Sequence, residues 1–229
     1  MDLRRILSMI GRLVSLIGLF LAGRKIAQAV RKIRPQHSIH IVGPPAAGKT
    51  TLFRYLRNEL LPGEQAKMVS RPRARIASDL SGTKTYFFLS IGTDDMVSEH
   101  TNYGEWLIKK YNPDGMIFIT DTRNPTADQT YLNGLYNMYR EFSTHQKKVK
   151  LRVLLILLNK FDIWGSTTEA RDAMMNHYRS EVFQDMINRF HSSFGVTVQF
   201  GYTSLTQREH APYNNLILKD FMMVLDRRG

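Results

Sequence analysis

The chain has 229 residues, of which 43% are hydrophobic, and it carries a net charge of +12. This size suits one globular domain with an appendage. The absence of cysteine excludes disulfide bonds and thiolate metal sites, and it favours a reducing compartment. Residues 1–35 hold eight Lys or Arg and one acidic residue, Asp2, so most of the excess charge lies in this segment. Residues 36–229 are only mildly basic, which argues against nucleic-acid binding as the main function.

The first predicted element is a helix over Leu3–Ala22. At 100° per residue its apolar residues cover one side, and its polar residues, Arg4, Arg5, Ser8, Arg12 and Ser15, gather on the other. Such a helix suits the surface of an anionic membrane, and we expect residues 1–34 to make this contact. Three alternatives remain: a membrane span over Ile6–Gly23, a helix packed against protein, and a cleaved signal peptide. The basic cluster at 24–34 favours a body on the cytoplasmic side of the membrane.

The next segment carries a phosphate-binding pattern. Gly43–Thr50 fits G-x-x-x-x-G-K-[ST], between a predicted strand at Ser38–Val42 and a predicted helix at about Thr50–Leu61. Strand, loop and helix in this order form a P-loop, in which backbone N–H groups and a helix N-terminus face phosphates. We therefore predict phosphate contacts from Gly43, Ala46, Ala47, Gly48, Lys49, Thr50 and Thr51. Lys49 would reach the β- and γ-phosphates, and the Thr50 hydroxyl would bind Mg²⁺.

Two further strands and another strand–helix unit follow. Ala74–Leu80 and Lys84–Ile91 are predicted to form an antiparallel hairpin joined by Ser81-Gly82. Gly115–Asp121 is an apolar run typical of a buried strand, and a helix is predicted over Thr126–Thr144.

A second motif lies far along the chain. Asn159-Lys160-Phe161-Asp162 has the form N-K-x-D and follows an apolar strand at Leu151–Leu158. The Asp162 carboxylate at this position can accept hydrogen bonds from guanine N1–H and its 2-amino group, which adenine lacks. Asn159 would tie this loop to the P-loop, and the stem of Lys160 would cover the base. This pair of motifs predicts guanine-nucleotide binding.

The remaining segments complete an α/β pattern. Ser166–Glu169 fits a capping box that opens a helix running to about Phe190. A strand at Val196–Tyr202 and a closing helix at Asn215–Arg227 follow. Alternating strands and helices predict a mainly parallel sheet with helices on both faces.

These segments resemble the small GTPases of the Ras-like P-loop superfamily, most closely the Arf and Sar group. The similarity rests on Gly43–Thr51, Asp114–Thr122 and Leu155–Ile163, and it covers roughly residues 38–226. Together with the basic apolar leader it is also similar to the β subunit of the signal-recognition-particle receptor. The resemblance implies a Ras-like G domain over residues 36–229 that binds GTP or GDP with Mg²⁺ and switches a protein partner. It also implies that a backbone N–H near Thr203 and Ser204 contacts guanine O6.

The chain departs from this family at the end of the third strand. The family has D-x-x-G there, whereas this chain has Ser90 in the place of the Asp and keeps the glycine as Gly92. A neutral Ser90 hydroxyl would hold Mg²⁺-bound water less strongly than a carboxylate. Asp94 stands where the family has its catalytic glutamine, and it would orient water beside the charged γ-phosphate.

The first switch segment is also unusual. Ser70 falls near the position of the metal-binding threonine, and Arg71 or Arg73 would clamp phosphate unless this is simply a basic loop. Pro45 removes one N–H donor from the P-loop. We therefore expect slow hydrolysis of GTP.

Four functions remain open from the sequence. The first is a membrane-associated GTPase switch whose loops are read by a protein effector or receptor. The second is a docking subunit that stays loaded with GTP and has no meaningful hydrolysis cycle. A P-loop ATPase or kinase and direct nucleic-acid binding are less favoured. Three aromatic residues after the third strand are candidates for a partner surface: Tyr103, Trp106 and Tyr111.

Overall fold

A computed structural model describes residues 37–57, 73–80, 83–91, 112–145 and 148–227. Its strands are β1 (His37–Val42), β2 (Arg73–Leu80), β3 (Thr83–Ile91), β4 (Gly115–Thr120), β5 (Val153–Asn159) and β6 (Thr197–Thr203). Its α-helices are α1 (Lys49–Leu56), α2 (Pro125–Thr144), α3 (Phe161–Trp164), α4 (Thr168–His177), α5 (Gln184–Phe194) and α6 (Ala211–Arg227). A π-helical turn covers Tyr178–Val182, and a 3₁₀ turn covers Arg208–His210.

The described strands form one six-stranded sheet in the order β2-β3-β1-β4-β5-β6. Strands β2 and β3 are antiparallel, and they pair from Arg73 with Ser90 to Leu80 with Thr83. All other neighbouring strands are parallel. The predictions of an α/β fold, a mainly parallel sheet and an antiparallel hairpin are therefore confirmed.

Helices cover both faces of the sheet, as the pattern predicted. Every residue of β4 and β5 is buried, which explains why these strands are continuous apolar runs rather than alternating ones. One core lies between the sheet and α2, α5 and the π-helical turn, with Phe118, Tyr139 and Phe190 at its centre. The other lies between the sheet and α1 and α6, where Phe53 and Phe221 are fully buried.

The single helix predicted to run to Phe190 is wrong. The chain instead forms α4, the π-helical turn and α5 in succession. Phe183, with φ −115° and ψ 1°, leaves helical geometry, and its N–H donates to the carbonyl of Tyr178 at 2.8 Å. Both aromatic side chains are fully buried in the same core, so the wider turn places both against the sheet.

Several element ends also differ from the sequence predictions. The N-cap of α4 is Thr167, whose Oγ1 accepts from the Ala170 N–H at 3.2 Å, so the predicted capping box at Ser166 is one residue too early. Helix α6 begins at Ala211 rather than Asn215. Pro212 suits its first turn, because the N–H groups there have no partner within the helix.

Other predictions fall on residues outside those described. They include the leader helix over residues 1–35, the extension of α1 to Leu61, the roles of Ser70, Gly92 and Asp94, and the aromatic surface after β3. Among the described helices, none combines the length and apolar character needed to cross a bilayer.

Candidate functional site

The P-loop lies between β1 and α1, and its backbone passes close to β4. Gly43 has φ +154°, and a Cβ placed on it would lie 2.0 Å from the carbonyl oxygen of Ile119. Gly48 has φ +105°, and a Cβ there would lie 2.4 Å from the side-chain nitrogen of Asn159. Both positions therefore need glycine for its conformation and for space.

The exposed tip of the loop is a turn in which Pro45 has a structural place. The Ala47 N–H donates to the carbonyl of Pro44 at 3.3 Å, which closes a turn with Pro45 and Ala46 at its centre. Ala46 has φ +59°, so the turn is of the type that favours proline first and a left-handed residue second. The turn is closed by the Ala47 N–H, so the missing N–H of Pro45 costs it no hydrogen bond.

Lys49 folds back over the loop that precedes it. Its Nζ donates to the carbonyls of Gly43 and Pro44, both at 2.9 Å, and the residue is only 5% exposed. Helix α1 has no side-chain cap at Gly48 and no acidic residue in its first turn. Its first N–H groups and the ammonium group of Lys49 therefore form a positive site suited to phosphate.

The N-K-x-D loop is joined directly to the P-loop. The side-chain nitrogen of Asn159 donates to the carbonyl of Ala47 at 2.7 Å. Asn159 is 4% exposed, and its side-chain oxygen is buried without a partner among the described residues. The predicted tie from Asn159 to the P-loop is thus present, and one acceptor at this place is unused.

Lys160 makes a second connection between the two loops. Its Nζ donates to the carbonyl of Ala46 at 3.0 Å and lies 3.3 Å from Oδ1 of Asp121. Asp121 follows β4 directly, and hydrogen bonds from Arg123 are the main reason that its pKa is lowered. Lys160 has φ +64°, a left-handed backbone conformation that is uncommon for a residue other than glycine.

Asp162 is exposed at the mouth of this arrangement. It lies in the first turn of α3, and no described residue hydrogen-bonds its carboxylate. The preceding Phe161 is 1% exposed and packs against His210 and Tyr202, with ring centroids 4.4 and 5.2 Å away. The buried ring anchors the loop, so the neighbouring carboxylate can meet a ligand from solvent.

Thr203 and Ser204 lie beside this loop, and the Ser204 hydroxyl is buried without a partner among the described residues. Thr203 pairs with Asn159 in the parallel register of β5 and β6. Its hydroxyl donates to Oδ1 of Asn214 at 2.7 Å, and the side-chain nitrogen of Asn214 donates to the carbonyl of Ser204. The Ser204 N–H donates to the same Oδ1 of Asn214 at 3.4 Å, so the backbone contact with a base stays a prediction.

Ser90 is engaged by a histidine that the sequence analysis did not single out. Its hydroxyl lies 2.6 Å from Nδ1 of His40, its partner in the register of β1 and β3. Burial lowers the pKa of His40 to about 3, so this imidazole is neutral at pH 7. The pair puts no negative charge where the resemblance would place a carboxylate.

The site residues fit a guanine nucleotide better than they fit Mg²⁺. The uncapped start of α1, the unused acceptor of Asn159 and the open carboxylate of Asp162 suit phosphates and a base. Of the metal ligands predicted from the sequence, the described residues include Thr50 and Ser90, which are neutral hydroxyls, and Ser90 is already bonded to His40. The described ranges hold no cluster of three acidic, histidine or cysteine residues suited to a metal ion.

Several residues of the site lacked a distinctive signal in the sequence. Asp121 follows a buried strand at the ligand-binding edge of the sheet, so its position offered a signal that was not used. His40 and Asn214 gave none, because a lone polar residue in a strand or a first helical turn is ordinary.

No protein-family model matches this chain, and no curated protein matches it significantly.

Proposed function

We propose that the chain binds GTP and GDP through a Ras-like, Arf-like G domain and acts as a slow GTPase switch. The observation that carries the proposal is the double connection between the two sequence motifs. Asn159 and Lys160 hydrogen-bond the carbonyls of Ala47 and Ala46 across more than 110 residues of sequence. A phosphate-binding loop and a base-binding loop that are hydrogen-bonded to each other would form the two ends of one nucleotide site.

Different residues would bind the base and the phosphates. Asp162 would accept the two guanine donors, and the connection through Asn159 would keep the base loop at a fixed distance from the phosphate loop. Lys49 would leave one of its carbonyl partners to reach the β- and γ-phosphates. When GTP is bound, it supplies the transferable γ-phosphoryl group, and Lys49 offsets charge that develops on its oxygens.

One observation favours a second candidate, a docking subunit that holds nucleotide without a meaningful hydrolysis cycle. The hydroxyl of Ser90 is held by a neutral histidine, so β3 ends without the carboxylate that the resemblance leads us to expect. Slow or absent turnover follows from that chemistry.

We further propose that residues 1–34 bring the body to the cytoplasmic side of a membrane, where a protein effector or receptor reads its switch loops. The basic amphipathic pattern of the leader supports the membrane part of this proposal.

The test is nucleotide binding by the purified chain, with GTP, GDP and ATP compared in the presence of Mg²⁺. We expect guanine nucleotides to bind at least ~100-fold more tightly than ATP, because adenine leaves the Asp162 carboxylate unpaired. Asp162→Ala should bring the two affinities within ~10-fold of each other by weakening guanine binding. Asp172→Ala, which removes another exposed carboxylate, is the matched control and should leave the preference intact.

Turnover separates the two candidate functions. Slow GTP hydrolysis that is lost in Lys49→Ala, with partner binding that differs between GDP and GTP states, supports the switch. Guanine-selective binding with no turnover supports the docking subunit. Equal affinity for GTP and ATP in the parent chain would overturn both.

A further inference from the structure

A chain of hydrogen bonds leads from the exposed guanine loop into the buried core. It begins at Asp121, whose carboxylate lies 3.3 Å from the Lys160 ammonium group while that group also contacts the P-loop carbonyl of Ala46. Asp121 therefore helps to decide whether Lys160 stays on the P-loop.

Two residues hydrogen-bond Asp121, one exposed to solvent and one buried. Its carboxylate receives two hydrogen bonds from Arg123, at 2.6 and 2.8 Å, but the Arg123 side chain is 62% exposed. This bidentate pair orients the carboxylate, although its exposure to solvent weakens it. Its backbone N–H donates to Oδ1 of Asp128 at 3.0 Å, and Asp128 is fully buried. Arg123 thus orients the carboxylate from the solvent side, and Asp128 holds the backbone of Asp121 from the buried side.

Among the described residues, the Asp128 carboxylate has one further hydrogen-bond partner. The hydroxyl of Tyr178 donates to its Oδ2 at 2.8 Å, and Tyr178 is also fully buried. Tyr178 opens the π-helical turn, a feature that often marks functional positions in helices. A buried carboxylate is expensive unless its oxygens are hydrogen-bonded, and an apolar pair would fill this space more cheaply. The pair of Asp128 and Tyr178 is bonded to the backbone of Asp121, which suggests a role for the pair other than packing.

We infer that Asp128 and Tyr178 are positioning residues of the guanine site, because they fix Asp121 so that Lys160 stays on the P-loop. The inference rests on the proposed function. Loss of the Tyr178 hydroxyl leaves Oδ2 of Asp128 unpaired, and the carboxylate then turns or protonates. The N–H of Asp121 loses its fixed acceptor, Lys160 leaves Ala46 more often, and the nucleotide dissociates faster.

The test is the dissociation rate of a fluorescent GDP analogue from the full chain. Tyr178→Phe removes only the hydroxyl and should speed dissociation by about 3- to 10-fold. This is less than the roughly 10- to 150-fold that a hydrogen bond to a charged group is worth, because the effect reaches the nucleotide only through Asp121 and Lys160. Tyr136→Phe is the matched control, since it removes a hydroxyl bonded to Ser193 of α5 at 2.9 Å, about 12 Å along α2 from Asp128. It should change the rate by less than about 2-fold.

A second comparison distinguishes positioning from general loosening of the core. In a Lys160→Ala background, Tyr178→Phe should have almost no further effect on dissociation, because the group it positions is gone. Asp128→Asn should retain nucleotide nearly as well as the parent, since its amide oxygen accepts from Asp121 and its amide nitrogen donates to Tyr178. Asp128→Ala makes neither contact and should release GDP faster.

Two results would overturn the inference alone: unchanged dissociation in Tyr178→Phe, or an equal acceleration with and without Lys160. A parent chain that binds no GDP analogue would overturn the proposed function first, and the inference with it. Comparable thermal unfolding of Tyr178→Phe and Tyr136→Phe checks that both variants are folded.

Discussion

At the scale of single residues, Asp128 makes stability depend on pH. Burial raises its pKa from 3.8 to about 6. Below pH 3.8 the carboxyl is neutral in both folded and unfolded chains and costs nothing. Between pH 4 and 6 the unfolded chain ionises first, and above pH 6 the full cost is on the order of 3 kcal/mol. Asp128→Asn should therefore gain stability over the parent as pH rises from 4 to 7. Denaturant unfolding at both pH values checks this, and a constant difference would contradict it.

The same residue shows why part of the site could not be read from the sequence. An acidic residue in the first turn of a helix is ordinary, because it complements the helix dipole. Nothing in the pattern distinguishes Asp128, which is buried against Tyr178, from an exposed one. Asn159, Lys160 and Asp162, by contrast, were predictable because a short motif placed them directly after a buried strand. Contacts within a motif can be read locally, whereas contacts between helix faces depend on packing.

At the scale of elements, the absence of a side chain at Gly48 lets the guanine loop approach the P-loop. Gly48→Ala would push against the side-chain nitrogen of Asn159, 2.4 Å from the new Cβ, and break its bond to Ala47. We expect it to weaken GDP binding by at least about 10-fold, since the lost contact and the left-handed strain add. Gly195→Ala is the control, because it has φ +66° with nothing within 4 Å of the added Cβ. Equal GDP affinity in both variants, measured by titration, would contradict the linkage.

The strands were predictable to within a residue or two, whereas one long helix was not. Continuous apolar runs identify β4 and β5 because buried parallel strands need no polar face. The break between α4 and α5 has no glycine or proline to announce it. It arises because Tyr178 and Phe183 are both buried in the same core. This packing depends on the position of the sheet, which the local sequence does not give.

At the scale of the whole molecule, the distribution of charge predicts how the chain meets a membrane. The full chain should sediment with vesicles rich in phosphatidylserine, and the chain without residues 1–34 should remain in solution, since each basic residue near an anionic surface contributes about 1 kcal/mol. Salt at ~0.5 M should release an in-plane helix but not a membrane-spanning one. Equal sedimentation with and without the leader would place membrane contact elsewhere.

The connection between Asn159 and the P-loop also orders events during synthesis. The two bonded residues, Asn159 and Ala47, are separated by 112 positions in the chain. At 5–20 residues per second a ribosome needs roughly 6–22 s to add that stretch. The phosphate loop therefore leaves the ribosome well before the strand that completes its pocket. If the proposed function holds, a nascent chain can bind nucleotide at this site only after β5 has been made and has joined the sheet.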